Sequence, residues 1–269
     1  MTTAELFASA WDWEPSVVAG CAVLAAGYLA LVRGSAPART FSFLSGVLLL
    51  LLDLVSPVDT LADQYLFSAH VFQHFLLALV VPALWLMGIP RRIVEAALRQ
   101  PLISRVERVL ARPLAAWPVG VGAMIVWHVP ALFNAALASQ ALHILQHLSF
   151  LVTGAIFWWP ILHPIEERRL AALGGIAYLF SACVACSLLG ALLAIARPGI
   201  YPVYLNPVDR SGILALVRDG WGLDPKNDQQ LGGMLMWVPG CFVYLSGIML
   251  TAVRWYATSE RPAVPEALR

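Results

Sequence analysis

An all-α polytopic bundle of about seven membrane-spanning helices, N-terminus outside and C-terminus inside, is the fold class this sequence predicts, and three observations predict it. The first is composition. Of 269 residues, 60% are hydrophobic and 12% charged, with a mean hydropathy of +0.76, whereas a soluble domain carries about 25% charged residues to cover its surface. The second is a series of apolar runs, most near the roughly 20 residues that cross about 30 Å of hydrocarbon. The third is an uneven distribution of arginine between alternate connections, the mark of a fixed orientation in the bilayer.

Lipid offers no partner to an unsatisfied peptide group, so each run reads as a helix. None alternates with the period of a barrel strand. The spans fall at about 16–32, 41–56, 67–88, 114–132, 140–162, 171–196 and 231–255, within one membrane domain covering 1–269. The first is preceded by Glu5, Asp12 and Glu14 without Lys or Arg, the wrong charge for a cleavable signal, so it is expected to remain as a span. The second is short. The fourth contains Pro118 and Pro130, expected to kink or end it. Trp11, Trp13, Trp158, Trp159 and Trp255 read as interfacial anchors.

Connections after spans one, three and five carry Arg33 and Arg39, then Arg91, Arg92, Arg99, Arg105, Arg108 and Arg112, then Arg168 and Arg169; the tail adds Arg254, Arg261 and Arg269. The other side holds Arg197, Arg210, Arg218 and Lys226 and most of the acids, among them Asp59, Asp63 and Asp228. The connection at 89–113 fits either an amphipathic helix on the anionic inner leaflet or a plain basic loop. The one at 197–230, rich in Pro and Gly, is expected to be irregular and suited to covering the outer helix ends. A net charge of +1 argues against nucleic-acid binding. Cys21, Cys183, Cys186 and Cys241 all lie in apolar runs, which excludes a disulfide framework.

The chemistry concentrates in histidine. Spans three and five begin with one pattern, His70-Val-Phe-Gln73-His74 and His143-Ile-Leu-Gln146-His147. A spacing of four places both imidazoles of each pair on one helix face, and both helices run inward, so the pairs share a depth. His128 ends span four at the same level, and span seven enters with Asp228 ahead of Met234 and Met236. Intramembrane ionisable groups face a bundle interior or a cavity. Neutral imidazole suits copper, zinc, iron or nickel, and a nearby carboxylate or Gln fixes the tautomer of a ligand histidine. The candidate metal ligands are therefore His70, His74, His143, His147, His128 and Asp228, with Met234, Met236, Cys183 and Cys186 as weaker ones. A polar packing network and a proton path remain alternatives. Asp228 also fits a helix N-cap, and His163 reads as an interfacial residue.

Several ordered motifs resemble the CtaG family of cytochrome c oxidase assembly factors. They are the His70–His74 run continuing through Pro82 to Gly88-Ile-Pro90, Trp127-His128-Val-Pro-Ala-Leu, the His143–His147 run with Leu-Ser-Phe, Phe157-Trp-Trp-Pro160, and Asp228-Gln-Gln-Leu-Gly-Gly-Met-Leu-Met-Trp-Val-Pro239. The resemblance covers about 70–250; Cys183 and Cys186 lie outside its pattern. It implies a non-enzymatic protein of the bacterial plasma membrane that matures a haem–copper oxidase, with copper as the metal and oxidase subunits as partners. Association with a second copy is left open. Two other classes stay open: a haem-binding or metal-dependent oxidoreductase, with axial histidines from spans three and five, and a metal or proton transporter.

Overall fold

The computed structural model describes residues 1–32 and 36–259, apart from the side chain of Thr258. Arg33, Arg261 and Arg269, counted above toward the orientation, lie outside the described residues. The described residues are helical with no strand: α1 (Thr3–Ser9), α2 (Pro15–Leu31), α3 (Pro37–Val55), α4 (Pro57–Gln64), α5 (Phe67–Phe75), α6 (Val81–Gly88), α7 (Arg91–Leu98), α8 (Pro101–Leu110), α9 (Pro113–Trp127), α10 (Pro130–Ala138), α11 (Gln140–Leu162), α12 (Ala172–Ile195) and α13 (Pro225–Ser259). A π-turn at Leu76–Val80 joins α5 to α6.

Among the described residues, five helical segments are long and apolar enough to cross a membrane, α3, α5–α6 together, α11, α12 and α13, with a sixth if the bent pair α8–α9 is one span. The chain is thus a multi-pass membrane protein. Helix α2, with 17 residues, is shorter, and α9 has 15. The lipid-facing surface follows from periodicity. On α11, Ile144, Leu148 and Val152 stand exposed every fourth residue, while Gln146, His147, Phe150, Gly154 and Phe157 are buried. Large exposed apolar stripes are expensive in water and natural in lipid.

Small residues set the closest approaches between helices. A Cβ on Gly190 of α12 would lie 2.7 Å from the Gly233 carbonyl oxygen of α13. Gly154 of α11 meets the Ala78 carbonyl of the π-turn just as tightly. That turn has a local cause: Pro82 has no N–H for Ala78 and its ring crowds the carbonyl, so the helix widens and Val81 N–H donates back to Leu76.

Pro118 neither ends nor breaks its helix, because the acceptor it frees belongs to Leu114, in the first turn of α9. Pro130 does act as expected: α9 stops at Trp127 and Pro130 opens α10. The single span expected at 114–132 is therefore two pieces. The 89–113 connection forms α7 and α8, the latter bent 75° from α9. Along α8, Leu102, Ile103, Val106 and Val109 are exposed, while Glu107 turns inward to Arg168 (3.1 Å) and His163 (3.3 Å). His163 is consequently buried, not interfacial. Trp158 also departs from the expected belt: it is buried beside Phe157 and Tyr244.

The connection at 197–230 folds into short turns over one end of the bundle. With α1 and α4 it builds a second small core from Leu6, Leu61, Tyr65, Leu66, Ile213 and Val217. Asp209 holds it in place, accepting from Tyr65 Oη at 3.0 Å and from the Ile213 N–H at 2.8 Å. This layer fixes α4 beside the first turns of α5 and α11.

Candidate metal centre

The five histidines meet beneath that layer. Ring centroids lie 4.2 Å apart for His70 and His74, 4.2 Å for His143 and His147, and 5.3 Å for His70 and His143. His74 is 5.8 Å from His147 and 5.6 Å from His128. The i, i+4 pairs share a face on each helix, and α5 and α11 turn those faces toward each other. Phe133 and Phe150 pack against the His70 and His74 rings. His70 and His74 have no exposure, and His128 and His147 are buried.

Burial without hydrogen bonds is the centre's main property. Among the described residues, neither ring nitrogen of His74 has a hydrogen-bond partner, nor has Nε2 of His128, His143 or His147, and His70 has only the Ala62 backbone facing its ring. Leaving such groups unmet costs about 1–3 kcal/mol each, so a ligand that uses them is favoured. His128 is set for it: Nδ1 lies 2.7 Å from the Met124 carbonyl oxygen, which makes Nδ1 the donor and leaves the Nε2 lone pair free.

A carboxylate missed in the sequence completes the centre. Asp63 on α4 places Oδ1 3.6 Å from His143 Nε2. Among the described residues, Asp63, His70 and His143 form the one set of three whose donor atoms all lie within 4.8 Å of one another. Burial pushes the Asp63 carboxyl up to about 6. Burial, and then the charge of Asp63, push Asp59 up to about 7. Asp53, in the middle of an apolar run, is buried with neither carboxylate oxygen bonded. An acid inside a span is itself a signal of function.

Other candidates have different surroundings. Asp228 accepts from the Phe67 N–H at 2.8 Å and the Ser68 N–H at 3.0 Å, capping α5 from the start of α13. Met234 is exposed, whereas Met236 is buried beside a small cavity shared with Val71, Phe75, Met124 and Cys186. Cys183 Sγ faces Cys241 Sγ at 3.2 Å, and Cys186 Sγ faces Tyr244 Oη at 3.2 Å. Gln73 does not orient a histidine; its amide donates to the Asp53 carbonyl at 3.0 Å and to Asp59 at 2.9 Å. Two tyrosines of the 197–230 connection lock the cover: Tyr201 Oη donates to the His128 carbonyl at 2.7 Å, and Tyr204 Oη to the Ala62 carbonyl at 2.7 Å.

Comparison with known proteins decides the family. The model of the cytochrome c oxidase caa3 assembly factor family matches residues 22–258. The chain belongs to this family. The match takes in α3 to α13 and most of α2, and so includes every element that carries a histidine of the centre. Among curated proteins, the chain is 24% identical over 283 residues to an uncharacterized protein of Mycobacterium leprae, covering 97% of the chain and 41% of that protein. It is also 24% identical over 279 residues to an uncharacterized protein of Mycobacterium bovis, covering 95% of the chain and 41% of the relative. The chain thus spans about two fifths of the length of the curated relatives it matches. No solved structure matches it significantly.

Proposed function

We propose that this assembly factor holds copper at the imidazole centre and hands it to a subunit of a haem–copper oxidase. It does so as a seven-span protein of the bacterial plasma membrane, with α2 and α9 completing the five longer spans. The N-terminus is outside and the C-terminus inside, because the arginine-rich connections belong on the cytoplasmic side. The centre then lies at the outer ends of the helices.

One observation carries the reading: five imidazoles, most of their buried ring nitrogens without a partner among the described residues, converge from α5, the end of α9 and α11, with Asp63 beside His70 and His143. Neutral imidazoles with one carboxylate suit copper as cargo. His70, His143 and Asp63 would hold the ion first, with His147 and His74 one helical turn further in. Asp63 supplies charge neutralisation, and the aromatic rings of Phe133 and Phe150 exclude water from the inner rings. The role needs no catalysis by the chain itself.

Metal analysis of the purified protein tests this. Wild type should retain copper after dialysis under oxidising or reducing conditions, and the His70→Ala/His143→Ala variant should lose it. Equal, negligible copper in both proteins under both conditions would end the reading. The two-imidazole, one-carboxylate set also favours a second reading, a divalent iron centre in a metal-dependent oxidoreductase; stoichiometric iron in place of copper, with turnover of a redox substrate that is lost in the same variant, would support it.

A further inference from the structure

The opposite end of the bundle carries a different kind of site. A cavity of about 340 Å³ opens there between α3, α6, the α11–α12 connection and α13, and Arg39, Arg169 and Arg254 all line it. Each of the three is half-buried. The carboxylate in the lining is Glu166, an exposed group bound to Arg169 at 3.2 Å. Arg169 also donates to the His163 carbonyl at 2.9 Å, which aims its guanidinium from a fixed base. Three guanidinium groups and one carboxylate leave the lining with a net positive charge that attracts an anion.

The cavity adjoins an apolar groove. Met87 and Leu162 line both it and a lateral groove of about 300 Å³ between α6, α11 and α13. The groove wall is otherwise apolar, built from Leu79, Ala83, Trp158, Phe242 and Leu250, with Ser246 at its face. A basic pocket joined to an apolar slot on a membrane-embedded surface has the shape of one amphiphile: an anionic head and a hydrocarbon tail.

We propose that this is a binding site for an anionic phospholipid, its phosphate between Arg39, Arg169 and Arg254 and one acyl chain in the groove along α6 and α13. Arginine suits the role because its fork gives paired hydrogen bonds to phosphate oxygens. The groove separates a phospholipid from free phosphate, which would need only the arginines. Nothing in the site involves the imidazole centre, so the two stand or fall separately.

The test is native mass spectrometry of the full chain, stripped of lipid in detergent and titrated with phosphatidylglycerol, phosphatidylcholine or inorganic phosphate. Wild type should bind phosphatidylglycerol several-fold more tightly than phosphatidylcholine. Arg39→Gln/Arg254→Gln should abolish that preference, at about fivefold per arginine. Ser246→Trp, which fills the groove and leaves the arginines, should weaken phosphatidylglycerol and not phosphate; it also decides the matter if the arginine variant fails to fold. Equal binding of the charged and zwitterionic lipids overturns the proposal. So does phosphate binding as tight as phosphatidylglycerol together with no effect of Ser246→Trp, which would mean an anion site without a lipid.

Discussion

Asp63 Oδ1 stands 3.6 Å from His143 Nε2, joining the short helix α4 to the first turn of α11. This contact carries a carboxylate to the rim of an otherwise neutral cluster of rings. A divalent or monovalent cation among imidazoles alone would bring its whole charge into a buried site, so the carboxylate at the edge has a large effect on retention. Asp63→Asn should therefore lower metal affinity at least tenfold while the helical content and unfolding temperature of the metal-free protein stay near wild type. Competition with a chelator of known affinity, followed by circular dichroism, measures both. Unchanged affinity would remove Asp63 from the ligand set.

Acidity sets a second expectation. Asp63 at about 6 and Asp59 at about 7 both sit above their ordinary 3.8. These two carboxyls therefore bind more protons in the folded, metal-free protein than in the unfolded chain between about pH 4 and 7, and the stability they contribute is lost as pH rises through that window. Bound metal needs Asp63 ionised, so affinity should weaken as pH drops below about 6, by about tenfold per unit for each proton displaced. Metal affinity against pH, measured for wild type and Asp63→Asn, reads this: the wild-type fall below about pH 6 should be reduced in the variant. Equal pH dependence in the two proteins would show that Asp63 does not meet the ion.

Asp228 separates capping from ligation. Both its oxygens serve backbone N–H groups at the start of α5. Asp228→Ala leaves these buried donors without partners and should destabilise the protein by about 1–3 kcal/mol. Asp228→Asn, which keeps an acceptor, should be milder and should retain full metal occupancy. A folded Asn variant devoid of metal would make Asp228 a ligand after all.

Cysteine reactivity tests the packing of α12 on α13. With Cys183 and Cys241 sulfurs 3.2 Å apart, mild oxidation should couple these two and leave Cys186, turned to Tyr244, as a free thiol. Peptide mapping after alkylation reads the result. A Cys183–Cys186 link would contradict the facing of Cys183 to Cys241 and of Cys186 to Tyr244.

Hydropathy made the long spans legible because lipid forces every peptide group into a helix. The i, i+4 histidines were legible for a similar reason: helical geometry fixes which side chains share a face. Asp63 was not, because its arrival depends on α4 folding back at Ser56-Pro57 and on a cover held by Leu6, Ile213 and Val217, contacts distant in sequence. Asp53 was passed over too, although an acid inside an apolar run is itself a signal; its burial without a partner came from the structure. Trp158 misled because aromatic residues at a helix end suit both an interface and a core; its contact with Tyr244 reaches across 86 residues of sequence.

The two tyrosine bonds over the histidines, Tyr201 to the His128 carbonyl and Tyr204 to the Ala62 carbonyl, bear on timing as well as shape. With that roof in place, His143 keeps 15% of its side chain exposed and Asp63 38%, while His70 and His74 keep none. Exchange with the surroundings thus runs through one doorway at α4 and α11, and the inner rings wait behind it. An occupant of the inner rings leaves at a rate set by opening of the roof or by a visitor at the doorway, and its lifetime becomes a property of the encounter.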